Sequence, residues 1–153
     1  MAVAVWAIGR CQGELNLLLL GDGPLREEVR EFETQSPVRC VGFVNQAGLP
    51  GWYASGDVLV LPSEKEPWGL VVNEVMACGL VPVVNNAVGC GPDLVDGVRE
   101  IVPVGNIDEL AGAVVRAADD TPARGEKVQQ RLERYTTAET ALGYEQAALT
   151  LRQ

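Results

Sequence analysis

Residues 57–85 read DVLVLPSEKEPWGLVVNEVMACGLVPVVN, and the order of patterns in this stretch decides the fold class. Two apolar runs, Asp57–Leu61 and Val81–Asn85, have the length and composition of buried strands. Between them, Gly69–Ala77 has a helical pattern that Gly79 ends. A strand, a helix and a second strand in this order predict a βαβ unit with parallel strands.

The same alternation continues on both sides of this unit. Further strands are predicted at Leu15–Leu20, Val38–Phe43 and Glu100–Val104. Further helices are predicted from Pro24 to about Gln35, over Ala47–Ala54, over Ile107–Ala118, and over about 137–151 after the capping box that begins at Thr136. The sequence therefore predicts one α/β domain over residues 1–153, with a Rossmann-like, doubly wound parallel sheet.

The first residues do not fit that pattern. Ala2–Cys11 is rich in alanine and is predicted to be a helix. A doubly wound domain normally starts with a strand that leads into such a helix. We therefore expect the sheet to lack its first strand.

Composition excludes several classes of function. The chain has 153 residues, 47% of them apolar. Its net charge of −9 disfavours electrostatic binding along a nucleic-acid backbone. Histidine is absent, which removes Ser-His-Asp triads, HExxH zinc sites and imidazole bases. The four cysteines form no CxxC pair, so we expect no metal and reduced thiols in a cytoplasmic protein. The apolar runs are too short to span a bilayer.

Two glycine-rich turns are candidates for phosphate-binding loops. Leu18-Leu-Leu-Gly-Asp-Gly-Pro24 leads from a strand into a helix, but Arg26 occupies the third glycine position of GxGxxG. Leu94 occupies that position after Gly89 and Gly91. Both segments are interpreted as tight turns and not as dinucleotide fingerprints.

Glu66 and Glu74 are the candidate functional carboxylates. Glu66 precedes the helix at 69–77 and Glu74 lies inside it, so the two side chains could converge on one side of a cleft. The alternative is that Glu66 only favours the helix dipole and Glu74 is a solvated residue on the outer edge. The residues alone leave both interpretations open.

The chain carries several short motifs in a fixed order: Leu20-Gly-Asp-Gly-Pro24, Val41-Gly-Phe-Val44, Leu61-Pro-Ser63, Glu66-Pro-Trp-Gly-Leu70 with Glu74 and Met76-Ala-Cys-Gly79, and Val88-Gly-Cys-Gly-Pro-Asp-Leu94. Together they resemble the glycosyltransferase group 1 family, the family 4 retaining enzymes of GT-B architecture. Their order and spacing are those of the nucleotide-sugar-binding carboxy-terminal domain. The resemblance implies transfer of a sugar from a nucleoside diphosphate to an acceptor hydroxyl, with retention and without a metal or other cofactor.

The resemblance also implies a role for each matching residue. Glu66, as the catalytic residue, would contact hydroxyls of the donor sugar, and Glu74 would accept hydrogen bonds from both ribose hydroxyls. The loop Gly42–Val44 would contact the base through main-chain groups, and the amides at the start of the helix would hold sugar and phosphate oxygens. The complete donor-binding set is Gly42, Phe43, Val44, Trp68, Gly69, Leu70, Val71 and Glu74.

Some departures limit what the resemblance implies. The family carries an Arg and a Lys that clamp the diphosphate in a segment before this sequence begins, and the acceptor-binding amino-terminal domain is also absent, so we expect little activity from this chain alone. Asn85-Asn86 stands where Ser-Asp is common. The alternative is a non-catalytic nucleotide-sugar-binding or interaction module that pairs with a separate acceptor domain or forms a homodimer. A third possibility is another sugar-nucleotide enzyme of this architecture, such as an epimerase.

Overall fold

A computed structural model describes residues 5–11, 14–33, 37–97, 100–119 and 121–150. The strands are β1 (Val5–Cys11), β2 (Glu14–Leu20), β3 (Val38–Gly42), β4 (Val58–Leu61), β5 (Val81–Asn85) and β6 (Glu100–Val102). The α-helices are α1 (Arg26–Glu33), α2 (Leu49–Tyr53), α3 (Leu70–Ala77), α4 (Ile107–Asp119), α5 (Thr121–Leu132) and α6 (Thr137–Thr150). A π-helical turn spans Gly91–Val95.

The six strands form one sheet in the order β3-β2-β1-β4-β5-β6. Strand β2 pairs in parallel with β3, and β4, β5 and β6 pair in parallel with one another. Strand β1 lies between β2 and β4 and is antiparallel to both. The five strands other than β1 therefore run in one direction, and the predicted parallel α/β sheet is confirmed for them.

The predicted helix at residues 2–11 is wrong. Residues 5–11 form β1, which pairs along its whole length with β2, from Val5 opposite Leu20 to Cys11 opposite Glu14. Residues 2–4 lie outside the described residues. Val5, Trp6 and Ile8 are types that favour strands, and a strand here satisfies backbone groups of β2 and β4 that a helix would leave unpaired. The position between β2 and β4 is thus filled by an antiparallel strand.

Each face of the sheet carries its own core. Alternate side chains of β4 point to opposite faces of the sheet. Leu59 and Leu61 join a cluster under α2, α3, α5 and the π turn. Val58 and Val60 join a cluster under α4. All four side chains are at most 4% exposed. Helices on both faces explain why this strand is apolar throughout and does not alternate.

Most predicted elements are present with shifted ends. Strand β3 ends at Gly42, whose φ of +79° turns the chain, so Phe43 lies outside it. Strand β6 ends before Pro103. The predicted end of α1 near Gln35 lies outside the described residues.

Helix α5 was not predicted, and it packs Val128, which is fully buried, and Leu132 against the larger core cluster. Its mostly polar sequence hides the two apolar positions that attach it to the sheet.

Helix α6 begins as predicted. The Thr136 hydroxyl oxygen accepts a hydrogen bond from the Glu139 amide at 3.2 Å, as one half of a capping box. Every residue of α6 is exposed, including Leu142, Tyr144 and Leu149. None of the described helices is both long and apolar enough to cross a membrane.

Candidate functional site

The loops that follow β4 and β5 are joined by backbone hydrogen bonds. The Glu66 amide donates to the Ala87 carbonyl at 3.2 Å, and the Glu66 carbonyl accepts from the Gly89 amide at 2.9 Å. A further bond runs from the Cys90 amide to the Trp68 carbonyl at 2.9 Å. These contacts fix the backbone of Glu66 and of the start of α3 at the carboxyl edge of the sheet, where parallel α/β folds bind ligands.

Two glycines allow this close approach. A Cβ atom on Gly89 would lie 2.0 Å from the Pro67 carbonyl oxygen, which no side chain tolerates. Gly69 has a φ of +96°, and its Cβ would lie 3.1 Å from Val88. The family motif's Gly69 is therefore needed both for its left-handed conformation and for the space beside it.

The amino end of α3 offers hydrogen-bond donors. The first turn of a helix has amides without intrahelical partners, and in α3 these belong to Leu70 and Val71. The Leu70 side chain is 69% exposed, so this end of the helix opens to solvent. Such amides and the helix dipole favour phosphate and hydroxyl oxygens.

Glu74 is held by a tyrosine. The Tyr53 hydroxyl, on α2, donates to Oε2 of Glu74 at 3.0 Å. Tyr53 is 3% exposed, and burial, followed by the hydrogen bond and the charge of Glu74, raises its pKa well above the usual value. The phenol therefore stays neutral and donates, while Glu74 is exposed and keeps acceptor positions for a ligand.

Trp68 and Asn73 form the second polar pair. The Trp68 indole nitrogen donates to Oδ1 of Asn73 at 3.1 Å, and 37% of Trp68 is exposed. Polar residues of a mostly apolar helix are costly to bury unless they meet polar partners. Asn73 and Glu74 each meet an aromatic donor.

Glu66 itself is half-buried. No side-chain hydrogen bond or ion pair to its carboxylate is found within the described part of the chain. Behind it, Cys90 is fully buried, and burial, with a smaller effect of Glu66, raises the pKa of its thiol to about 11. Cys90 thus fills space in the core as a neutral thiol. The described residues contain no group of three His, Cys, Asp or Glu side chains that could hold a metal ion.

The loop after β3 lies on the other side of β1 and β2. The Gly42 carbonyl accepts from the Gly21 amide at 2.9 Å, Phe43 is 81% exposed and Val44 is half-buried. A cavity of about 300 Å³ lies beside Gly42, between the turn at residues 21–25 and α1. Three strand spacings, or roughly 14 Å, separate this loop from the loop after β4.

The structure therefore places the site residues predicted from the sequence in two groups. The first group lies on α3 or in the loop just before it, and comprises Glu66, Trp68, Gly69, Leu70, Val71 and Glu74. Gly42, Phe43 and Val44 lie at the same edge of the sheet, but apart from them. The hydroxyl of Tyr53 was not anticipated, because no sequence pattern shows that α2 meets α3.

Comparisons with known proteins agree with this architecture. The sequence profile of the family "Glycosyl transferases group 1" matches residues 2–120. Sulfoquinovosyl transferase SQD2 of Arabidopsis thaliana is 43% identical over 82 residues, which is 54% of this chain and 16% of the relative. D-inositol 3-phosphate glycosyltransferase of Xylanimonas cellulosilytica is 35% identical over 125 residues, which is 76% of this chain and 27% of the relative.

Solved structures share the fold. Sucrose-phosphate synthase of Thermosynechococcus elongatus superposes with a TM-score of 0.71 at 24% identity, over 89% of this chain and 39% of that one. Anabaena HepE in complex with UDP-glucose gives 0.69 at 22% identity, over 90% and 42%. The chain thus spans less than half the length of these proteins. Given the profile match over most of its residues, the chain belongs to the group 1 glycosyltransferases and has the fold of their GT-B carboxy-terminal domain.

Proposed function

We propose that this chain is the donor-binding half of a retaining glycosyltransferase, which transfers a sugar from a nucleoside diphosphate sugar to an acceptor hydroxyl. The observation that carries the proposal is the Tyr53–Glu74 pair, which joins α2 to α3. A carboxylate held by one neutral donor keeps acceptor positions for a vicinal diol, such as the two hydroxyls of a ribose. Anabaena HepE, which shares the fold, forms a complex with UDP-glucose, and this supports a donor of that class.

We propose the remaining ligand contacts along the same edge of the sheet. The amides of Leu70 and Val71 would bind oxygens of the sugar and the diphosphate at the helix amino terminus. That arrangement stabilises charge developing on a leaving diphosphate without a metal ion. Glu66, whose carboxylate is free in the described residues, would contact hydroxyls of the transferred sugar. The base would lie toward Gly42–Val44 and the cavity beside Gly42.

We propose that this chain is fully active only together with an acceptor-binding domain. The net charge of −9 opposes binding of a diphosphate, so cations from elsewhere would have to strengthen it. We expect the isolated chain to bind the donor weakly and to catalyse transfer slowly or not at all. Neither a metal nor another cofactor is included in this proposal.

Calorimetric titration with UDP, GDP and ADP, and with the matching 2′-deoxy nucleotides, tests the donor site. We expect saturable binding of one ribonucleotide and about tenfold weaker binding of its 2′-deoxy form, because one hydrogen bond to Glu74 is lost. Glu74→Ala removes both hydrogen bonds, so it should lower the affinity at least about tenfold and should no longer distinguish the two forms. Glu145→Ala, on exposed α6, is the matched control and should bind as the wild type does. Equal binding of both forms by the unchanged chain would refute the assignment of Glu74.

One observation favours the alternative, a non-catalytic module that pairs with another domain or with a second copy. Helix α6 exposes Leu142, Tyr144 and Leu149 along a helix that buries none of its own residues. Ultracentrifugation of the chain, with and without Leu142→Glu, distinguishes the two hypotheses. A dimer that the substitution dissolves, together with no nucleotide binding, would support the interaction module.

A further inference from the structure

A second cavity lies at the carboxyl edge of the sheet on the face that α4 covers. It measures about 190 Å³ and lies between the loop after β4 and the loop after β6; we call it the α4-side cavity. Its wall is mostly apolar and includes Pro62, Val104, Ile107 and Leu110. Helix α3 and Glu74 belong to the opposite face, so the α4-side cavity is separate from the proposed donor site.

The cavity contains an unused hydrogen-bond donor. Asn85, at the end of β5, lines it and is 3% exposed. Its Oδ1 accepts from the Ala87 amide at 3.4 Å, which identifies the other atom of the group as the NH₂. That NH₂ has no hydrogen-bond partner among the residues that the structure describes. Because a buried donor without a partner is costly, the site favours a ligand that brings an acceptor.

The charges around the cavity select against anions. Glu64 lines it from the loop after β4 and is exposed, and Asp108 and Glu109 lie in the first turn of α4. None of the residues that line it is a Lys or an Arg. The amide group of Asn106 contacts Glu109, since its NH₂ donates to Oε2 at 2.9 Å and its Oδ1 accepts from the Glu109 backbone amide at 3.1 Å. Among the side chains that line the cavity, Asn85 thus supplies the buried neutral donor and Glu64 supplies the charged acceptor.

We propose that the α4-side cavity binds a neutral hydroxylated ring, that is, a sugar or a cyclic polyol. A hydroxyl accepts from the Asn85 NH₂, and a hydroxyl on the same ring donates to the Glu64 carboxylate. The carbon face of the ring packs on Val104 and Ile107, which are 43% and 77% exposed at the mouth. A cavity of roughly 150 Å³ holds a benzene ring, so the space suits one six-membered ring.

The experiment is a titration of the ¹⁵N-labelled chain with methyl α-D-glucopyranoside, followed by NMR. We expect saturable shifts of the Asn85 side-chain NH₂ and of the Gly105 backbone amide, while the amides of Leu70 and Val71 stay in place. Glucose 6-phosphate should bind more weakly at this cavity because of the acidic groups around it. The result does not depend on nucleotide binding, so the donor-site proposal and this one can fail separately.

Three variants test the contacts. Asn85→Leu keeps the approximate volume and should lower the affinity about tenfold, because the donor is lost. Glu64→Ala changes an exposed side chain that the fold does not need, and it should lower the affinity comparably. Asp108→Asn, which removes a charge outside the cavity lining, should leave the affinity within about twofold. The proposal is overturned if the glucoside moves neither cavity signal at its highest soluble concentration, or if Glu64→Ala binds like the wild type; the cavity would then hold only water.

Discussion

At the scale of single residues, the Tyr53 hydroxyl decides how Glu74 is presented. Tyr53→Phe keeps the buried ring and removes only the donor 3.0 Å from the carboxylate. We expect a threefold to tenfold loss of affinity for the preferred nucleotide, roughly the effect of one hydrogen bond, because the carboxylate is no longer held in position. The melting temperature should change little, since the exposed Glu74 carboxylate is hydrated instead. Unchanged calorimetric affinity would mean that Glu74 is oriented by something other than Tyr53.

A substitution at Gly89 tests the close contact between the loops that follow β4 and β5. In Gly89→Ala the new methyl group meets the Pro67 carbonyl oxygen at 2.0 Å, so the loops must separate. We expect a loss of about 2 to 3 kcal/mol in the free energy of unfolding, the upper range for overpacking, together with weaker nucleotide binding. Gly51→Ala is the control, because a Cβ atom there meets nothing within 4 Å in α2 and should be neutral or stabilising. Urea denaturation of both variants measures the difference, and equal stabilities would contradict the contact.

Because the Cys90 thiol is buried, we predict that the free energy of unfolding decreases at alkaline pH. Its thiol pKa is raised from 9.0 to about 11 in the folded chain. Between these values the unfolded chain loses the proton and the folded chain keeps it, so the free energy of unfolding falls as the pH rises. We expect the wild type to lose on the order of 2 kcal/mol more than Cys90→Ala between pH 8 and pH 11. Urea titrations under reducing conditions check this, and parallel losses in the two proteins would show that the thiol ionises normally.

Most residues of the candidate site could be predicted from the sequence. Glu66, Gly69 and Glu74 lie on consecutive parts of one strand–loop–helix unit, so local order alone places them near one another. Tyr53 and Gly89 come from other segments, and their contacts with Glu74 and Pro67 depend on how α2 and the loop after β5 pack. Sequence patterns within one segment do not contain that information.

At the scale of elements, the helix that was not predicted supports the site from behind. Arg131, in the last turn of α5, donates to the carbonyls of Asp93 and Asp96, each at 3.0 Å. These carbonyls belong to the π turn and its end, which follow directly after Gly89 and Cys90. Helix α5 is thus tied to the loop that pairs with Glu66. Its polar sequence shows only two apolar anchors, Val128 and Leu132, which is too few for a clear helical period.

Arg131→Met tests this connection. The substitution keeps most of the aliphatic stem and removes both hydrogen bonds, so we expect a loss of about 1 to 2 kcal/mol in the free energy of unfolding. Nucleotide affinity should also fall severalfold, because the loop at residues 86–90 is less firmly held. Arg134→Met, an exposed residue just after α5, is the matched control and should leave both quantities unchanged. Thermal unfolding and calorimetry supply the two measurements, and a change in stability without a change in affinity would limit Arg131 to a structural role.

At the scale of the whole molecule, the sheet could be predicted from the sequence except at its centre. The apolar runs of β2, β4 and β5 are long enough to be recognised, and their alternation with helices implies parallel pairing. Strand β1 could not be recognised this way, because alanine and glycine weaken its pattern and its pairing is set by β2 and β4. The order of strands depends on contacts between distant segments, and no local pattern specifies them.

Proline at position 8 tests the central place of β1. Ile8 stands opposite Leu17 of β2 and Val58 of β4, so its amide belongs to a ladder whichever neighbour it faces. Proline removes that donor and does not fit inside a central strand. We therefore expect Ile8→Pro to lower the melting temperature of the whole domain by roughly 4 to 12 °C, since a loss of about 2 to 3 kcal/mol shifts a domain of this size by about 2 to 4 °C per kcal/mol. Ala147→Pro, in the exposed α6, should unfold only that helix and leave the main transition in place.

Circular dichroism and hydrogen exchange distinguish the two cases, because exchange in β4 and β5 accelerates only if β1 is a central strand. If Ile8→Pro melts like the wild type, β1 does not join the two halves of the sheet, and β2 and β3 must be held to β4 in another way.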